Sequence, residues 1–123
     1  MILVDSSVWV GHFREPNDQL VRLLEGRQVL CHPFISGEIA LGNLRRRDIV
    51  LTSLRRLPQA VVARDSEVTD LVERKSLHGR GVGYFDVHLL ASALVTPDAQ
   101  LWSNDRRLAL IASELGVAFL AAH

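Results

Sequence analysis

The chain has 123 residues, close to the modal size of one domain, and its 48% hydrophobic and 23% charged content excludes collagen-like, low-complexity and disordered classes. Fourteen Lys and Arg balance fourteen Asp and Glu, so net charge draws the chain to neither nucleic acid nor an anionic membrane, and such a partner would need a local patch. Cys31 has no second cysteine to pair with, charged residues interrupt every apolar run before the ~18 residues needed to span a bilayer, and no secretory leader pattern is visible; a cytoplasmic protein of one domain, residues 1–123, is expected.

Residues 1–4 form an apolar run that stops at Asp5-Ser6-Ser7, which reads as a buried strand turning into a helix, with Ser7 as cap and Asp5 at the strand's carboxyl end. Leu20, Leu23 and Leu24 have helical spacing up to Gly26, and residues 29–31 read as a second strand. The helical pattern resumes from Ile35 through Ile39, Ala40 and Leu44, with Glu38 in its first turns, and again over residues 48–57, where Pro58 ends it. Leu41, Leu44, Ile49, Leu51 and Leu54 spread more widely than one inward stripe requires, which points to a second buried surface or to a core that wraps this helix pair. Ala60-Val61-Val62 is a third strand, and Asp65-Ser66-Glu67 opens a helix that turns Val68, Leu71 and Val72 inward. A glycine-rich loop over residues 78–85 leads to Asp86, expected to cap the apolar helix 87–94. Gln100-Leu101-Trp102 is a fourth strand, followed by Ser103-Asn104-Asp105. A helix carrying Leu108, Ile111, Ala112 and Leu115 runs to Gly116, and residues 117–120 form a fifth strand. Apolar strands alternating with helices predict an α/β fold with a central parallel sheet of about five short strands and helices on both faces.

Open parallel sheets bind ligands beyond the carboxyl ends of their strands. Asp5 and Asp105 follow strands directly, Glu38 and Asp86 lie near helix starts, and all four are expected at that edge although 33, 48 and 19 positions separate them. Gathered carboxylates repel, and a hard divalent cation relieves them. Oxygen ligands suit Mg²⁺ or Mn²⁺, which also bind phosphate and generate hydroxide from water. Taken singly, Asp86 and Asp105 could be helix caps and Glu38 a surface acid. The arginines cluster at 45–47, 55–56 and 106–107, as solvated helix faces or as phosphate grips. Arg106 and Arg107 adjoin Asp105 and are the candidate substrate-binding pair. Gly79, Gly81 and Gly83 lack the phosphate-loop pattern and read as a hinge. His12, His32, His78 and His88 lack metal-ligand spacing, Cys31 reads as core, and Trp9 and Trp102 as core or pocket wall.

Four segments then carry a resemblance: Ile2-Leu3-Val4-Asp5-Ser6-Ser7-Val8-Trp9, Ile35-Ser36-Gly37-Glu38-Ile39, Gly81-Val82-Gly83-Tyr84-Phe85-Asp86-Val87-His88-Leu89-Leu90-Ala91 and Leu101-Trp102-Ser103-Asn104-Asp105-Arg106-Arg107-Leu108. In order and over nearly the whole chain they resemble the acidic motifs of PIN-domain ribonucleases, and the compact form resembles the VapC toxins of bacterial toxin–antitoxin pairs. The resemblance implies an α/β/α sandwich and Mg²⁺- or Mn²⁺-dependent endoribonuclease activity on RNA. It implies a catalytic, metal-holding site of Asp5, Glu38, Asp86 and Asp105, with the Ser7 and Ser103 hydroxyls beside it. It also implies pairing into a homodimer and a VapB-type antitoxin whose C-terminal tail lies along the cleft. Two rivals differ in residues. A haloacid-dehalogenase-like phosphotransferase needs a second Asp where Ser7 stands and a working lysine, yet Lys75 is the only lysine. A non-catalytic PIN-like interaction module would have lost one or more of the acids, and all four are present.

Overall fold

Three parallel strands, β1 (Ile2–Val4), β2 (Val29–Leu30) and β3 (Gln100–Trp102), lie in the order β2-β1-β3 at the centre of the computed structural model, which describes residues 1–121. Leu3 pairs with Leu30 on one side and Leu101 on the other. All three residues of β1 are buried, as expected of a central parallel strand covered on both faces, where an unbroken apolar run replaces alternation. Seven helices pack around it among the described residues: α1 (Ser6–Arg14), α2 (Asp18–Glu25), α3 (Pro33–Ala40), α4 (Arg47–Arg56), α5 (Asp65–Lys75), α6 (Tyr84–Val95) and α7 (Arg106–Glu114). None is long and apolar enough to cross a membrane.

The expected five strands reduce to three. Residues 60–62 and 117–120 are not strands; the chain beside each sheet edge makes one isolated parallel bridge, Cys31 with Gln59 and Leu101 with Ala118. Backbone groups along a strand point alternately to its two neighbours, so three-residue β3 offers only Leu101 outward. Its N–H donates to Val117 O at 2.7 Å and its carbonyl accepts from Phe119 N at 2.9 Å. At the other edge Cys31 is bracketed likewise by Pro58 O at 2.9 Å and Ala60 N at 2.8 Å. Further pairing stops there because side chains of α6 and its C-cap take the next amides: Val61 N donates to Thr96 Oγ1 at 2.9 Å and Ala63 N to Ser92 Oγ at 3.3 Å.

The helix bounds follow local chemistry. α3 starts earlier than the apolar periodicity implies because Pro33 suits the first helical turn, and it ends at Ala40, short of Leu44. Of the residues expected to supply a second surface, Leu51 and Leu54 turn inward at 7% and 2% exposure, while Leu41 and Ile49 stand out at 89% and 60%. Helix α6 is buried at every position from Val87 to Ala93, including His88 and Ser92.

His32 joins the layers and is itself fully buried. Its Nδ1 accepts from Phe34 N at 3.0 Å, capping α3, so Nε2 carries the proton and donates to Ser92 Oγ at 3.1 Å. Burial, reinforced by repulsion from His88, pulls its pKa from 6.5 down to about 4. The folded chain therefore keeps His32 neutral where the unfolded chain would protonate it. Its contribution is complete above pH 6.5 and is lost as pH falls towards about 4. That loss amounts to up to ~3 kcal/mol. Thermal melts across this window should fall more steeply for wild type than for His32→Asn, whose amide can cap α3 without titrating; equal slopes would contradict the assignment.

Candidate active site

Asp5 is built in from two sides. It is 6% exposed and is the N-cap of α1, its Oδ1 accepting from Ser6 N at 2.8 Å, so the cap is Asp5 and not Ser7. Its Oδ2 accepts from Ser7 Oγ at 2.9 Å and from Ser103 Oγ at 2.7 Å. Each of these hydroxyls accepts in turn from the β3–α7 loop, Ser7 from Asn104 N and Ser103 from Asp105 N, both at 3.0 Å. Two serines 96 positions apart thus pin the ends of β1 and β3 together around one carboxylate. Ser6, which the sequence reading passed over, extends the network: its Oγ donates to Glu38 Oε2 at 2.7 Å and ties α3 to α1. The run of hydroxyls directly behind Asp5 was the available signal.

The remaining acids also do double duty. Asp105 caps α7, its Oδ1 accepting from Arg107 N at 2.9 Å and Leu108 N at 3.1 Å. Asp86 is not the N-cap of α6; that position is Gly83, whose N–H donates back to Asp86 Oδ2 at 3.1 Å from the first turn. Partial burial holds the Asp86 carboxyl above the usual carboxylate range, and the charges of Asp5, Asp105 and Glu38 push it the same way, against the Gly83 hydrogen bond. Four segments therefore share one negative field at the carboxyl edge of the sheet. Asp86, Asp105 and Glu38 each spend one oxygen on these local contacts, and the other makes no hydrogen bond among the described residues. No three acidic, histidine or cysteine side chains among those residues converge closely enough to ligate one ion as they stand. The donor set is nonetheless of hard oxygens, with mutual repulsion that a cation relieves, and it suits Mg²⁺ or Mn²⁺ in chemistry.

No protein-family model matches the chain. It is 45% identical over 118 residues to Ribonuclease VapC32 of Mycobacterium tuberculosis, in strain CDC 1551 / Oshkosh and in strain ATCC 25618 / H37Rv alike, a match covering 96% of this chain and 95% of each relative. The chain belongs to the VapC family of PIN-domain ribonucleases.

In this VapC-family chain the two arginines beside Asp105 part ways. Both are exposed, but Arg107 reaches back over the glycine-rich loop, its Nη1 making a long 3.5 Å contact with Gly81 O. Gly81 is required there: its φ is +80°, and a Cβ would lie 2.6 Å from Arg107 Nη1. Arg80 meets Glu114 in a two-pronged ion pair at 2.6 and 3.0 Å, so the loop read as a hinge is fastened to both ends of α7. His88 is buried and turns away from Asp86, with Nε2 2.9 Å from Asp65 Oδ1. Trp9, Trp102 and Cys31 are core residues. Beside Glu38, a groove of about 800 Å³ runs between α1 and α4, lined by Val10, Phe13, Leu44 and Val50, with Arg14 and Arg45 contributing charge.

Proposed function

We propose that the chain is a divalent-metal-dependent endoribonuclease, the toxin of a toxin–antitoxin pair, which hydrolyses RNA phosphodiesters with water as the nucleophile. The observation that carries this reading is the placement of Asp5, Glu38, Asp86 and Asp105 at the carboxyl edge of the sheet, bound into the ends of β1, β3, α3 and α6, where burial first and the other three charges after it raise the Asp86 pKa. These acids would hold Mg²⁺ or Mn²⁺, directly or through water. When bound, such an ion neutralises the acids and the scissile phosphate and lowers the pKa of water. Asp5, gripped by Ser7 and Ser103, contributes a carboxylate fixed in orientation. Asp86, Asp105 and Glu38 contribute oxygens left over from their caps and contacts, and one of the four acids takes the attacking water's proton. Arg106 and Arg107, at the start of α7, hold the RNA backbone by charge.

The groove beside Glu38 supports control by a VapB-type antitoxin: an apolar helix of its C-terminal tail would fill the row from Val10 to Val50, and an Arg or Lys would reach the acids in place of the ion. Exposed Leu41 and Ile49 support a homodimer, which sedimentation at micromolar concentration checks. Expression of the chain alone should arrest growth, and the Asp5→Asn variant or co-expression of the neighbouring antitoxin gene should relieve it. Unimpaired growth with wild type alone, or equal toxicity of Asp5→Asn, would overturn the toxin reading.

A further inference from the structure

Phe85, directly before Asp86, leaves 55% of its surface in water at the start of α6. The ring is not loose. Its centroid lies 4.8 Å from that of Phe34 at a tilt of 42°, and Phe34 is braced edge-on by buried His32 at 5.0 Å and His88 at 4.9 Å. Phe34 stands one helical turn ahead of Glu38 on the same face of α3, and Phe85 directly precedes Asp86 in the first turn of α6, so the ring pair joins the starts of the two helices that carry these acids. The neighbouring ring is committed elsewhere: the Tyr84 hydroxyl donates to Asp65 Oδ1 at 2.9 Å, and His88 Nε2 meets the same oxygen at 2.9 Å.

We infer that Phe85, backed by Phe34, stacks one unpaired RNA base beside the scissile phosphate and so helps set where the chain cuts. The inference rests on the ribonuclease reading above. A base fits because the exposed feature is a small aromatic surface, Phe85 with its half-exposed neighbour Tyr84, next to charged groups, which a planar, polar-edged ring can cover while its phosphate enters the acidic site. A protein helix needs a longer apolar row, and that row lies in the separate groove containing Phe13. Because Phe34 already holds Phe85, stacking costs little side-chain freedom.

The test uses the full chain with Mg²⁺ or Mn²⁺ on bulk transfer RNA and on a short random-sequence single-stranded RNA, with cut positions mapped by sequencing. Phe85→Leu should raise KM about tenfold with kcat nearly unchanged, flatten the nucleotide bias at one position beside the cut, and leave the Tm in place. Phe85→Trp should keep or tighten KM and retain a bias at that position. Wild-type cleavage of neither RNA would overturn the ribonuclease reading itself. Cleavage by wild type with an unaltered KM and cut profile in Phe85→Leu would overturn the stacking role alone, as would a Phe85→Trp protein that folds but loses the bias. Phe85→Leu that spares RNA cleavage and weakens antitoxin binding would assign the ring to a protein partner instead.

Discussion

Asp86→Asn is expected to lower RNA cleavage by about 100-fold or more while raising the melting temperature, because the amide keeps the Gly83 hydrogen bond through its oxygen and removes a charge opposed by burial and by Asp5, Asp105 and Glu38. Glu38→Gln and Asp105→Asn should lose activity to a similar degree. Asp5→Asn also loses activity, yet its stability moves the other way. Both Asp5 oxygens accept hydrogen bonds, from Ser6 N on one side and from Ser7 and Ser103 hydroxyls on the other, and an amide has one oxygen to give. Turning an N–H₂ towards donors costs about 2 kcal/mol, several degrees in Tm. Activity assays paired with thermal melts check the set; wild-type cleavage in two or more of the four variants would contradict the site.

Excess chelator is expected to bring cleavage to background, and added Mg²⁺ or Mn²⁺ to restore it. The same ions should raise the Tm of wild type if they bind the folded acids and not the dispersed ones, by about 2.7 kcal/mol of stability at a hundredfold excess over Kd. In Asp86→Asn that rise shrinks. Cleavage undiminished by EDTA would remove the metal from the reaction.

Much of this arrangement was legible because its signals are local. The apolar run ending at Asp5, the glycine loop before Asp86 and the polar triplet Ser103-Asn104-Asp105 each mark a strand end or helix start, and parallel topology gathers such ends at one edge. What escaped is non-local. The number of strands depends on which neighbour takes each amide, and nothing near Val61 or Ala63 announces that Thr96 and Ser92 will do so. The Ser6–Glu38 and Ser7–Asn104 bonds join positions far apart in the chain, as does the Arg80–Glu114 pair that turns a glycine-rich hinge into a fastened loop. The cap of α6 is Gly83, three positions before Asp86, and a reciprocal bond from the third helical residue gives the same composition as a cap in front.

Cleavage of an end-labelled RNA in oxygen-18 water tests hydrolysis at this site most directly. Attack by water leaves a linear terminal phosphate that takes one oxygen from the solvent, whereas attack by the RNA's own 2′-hydroxyl leaves a 2′,3′-cyclic phosphate that takes none. Wild type with Mg²⁺ or Mn²⁺ is predicted to give labelled linear ends at discrete internal positions, and Asp86→Asn to give almost none. Cyclic ends, or the same labelled ends formed at an equal rate by Asp86→Asn, would contradict the account.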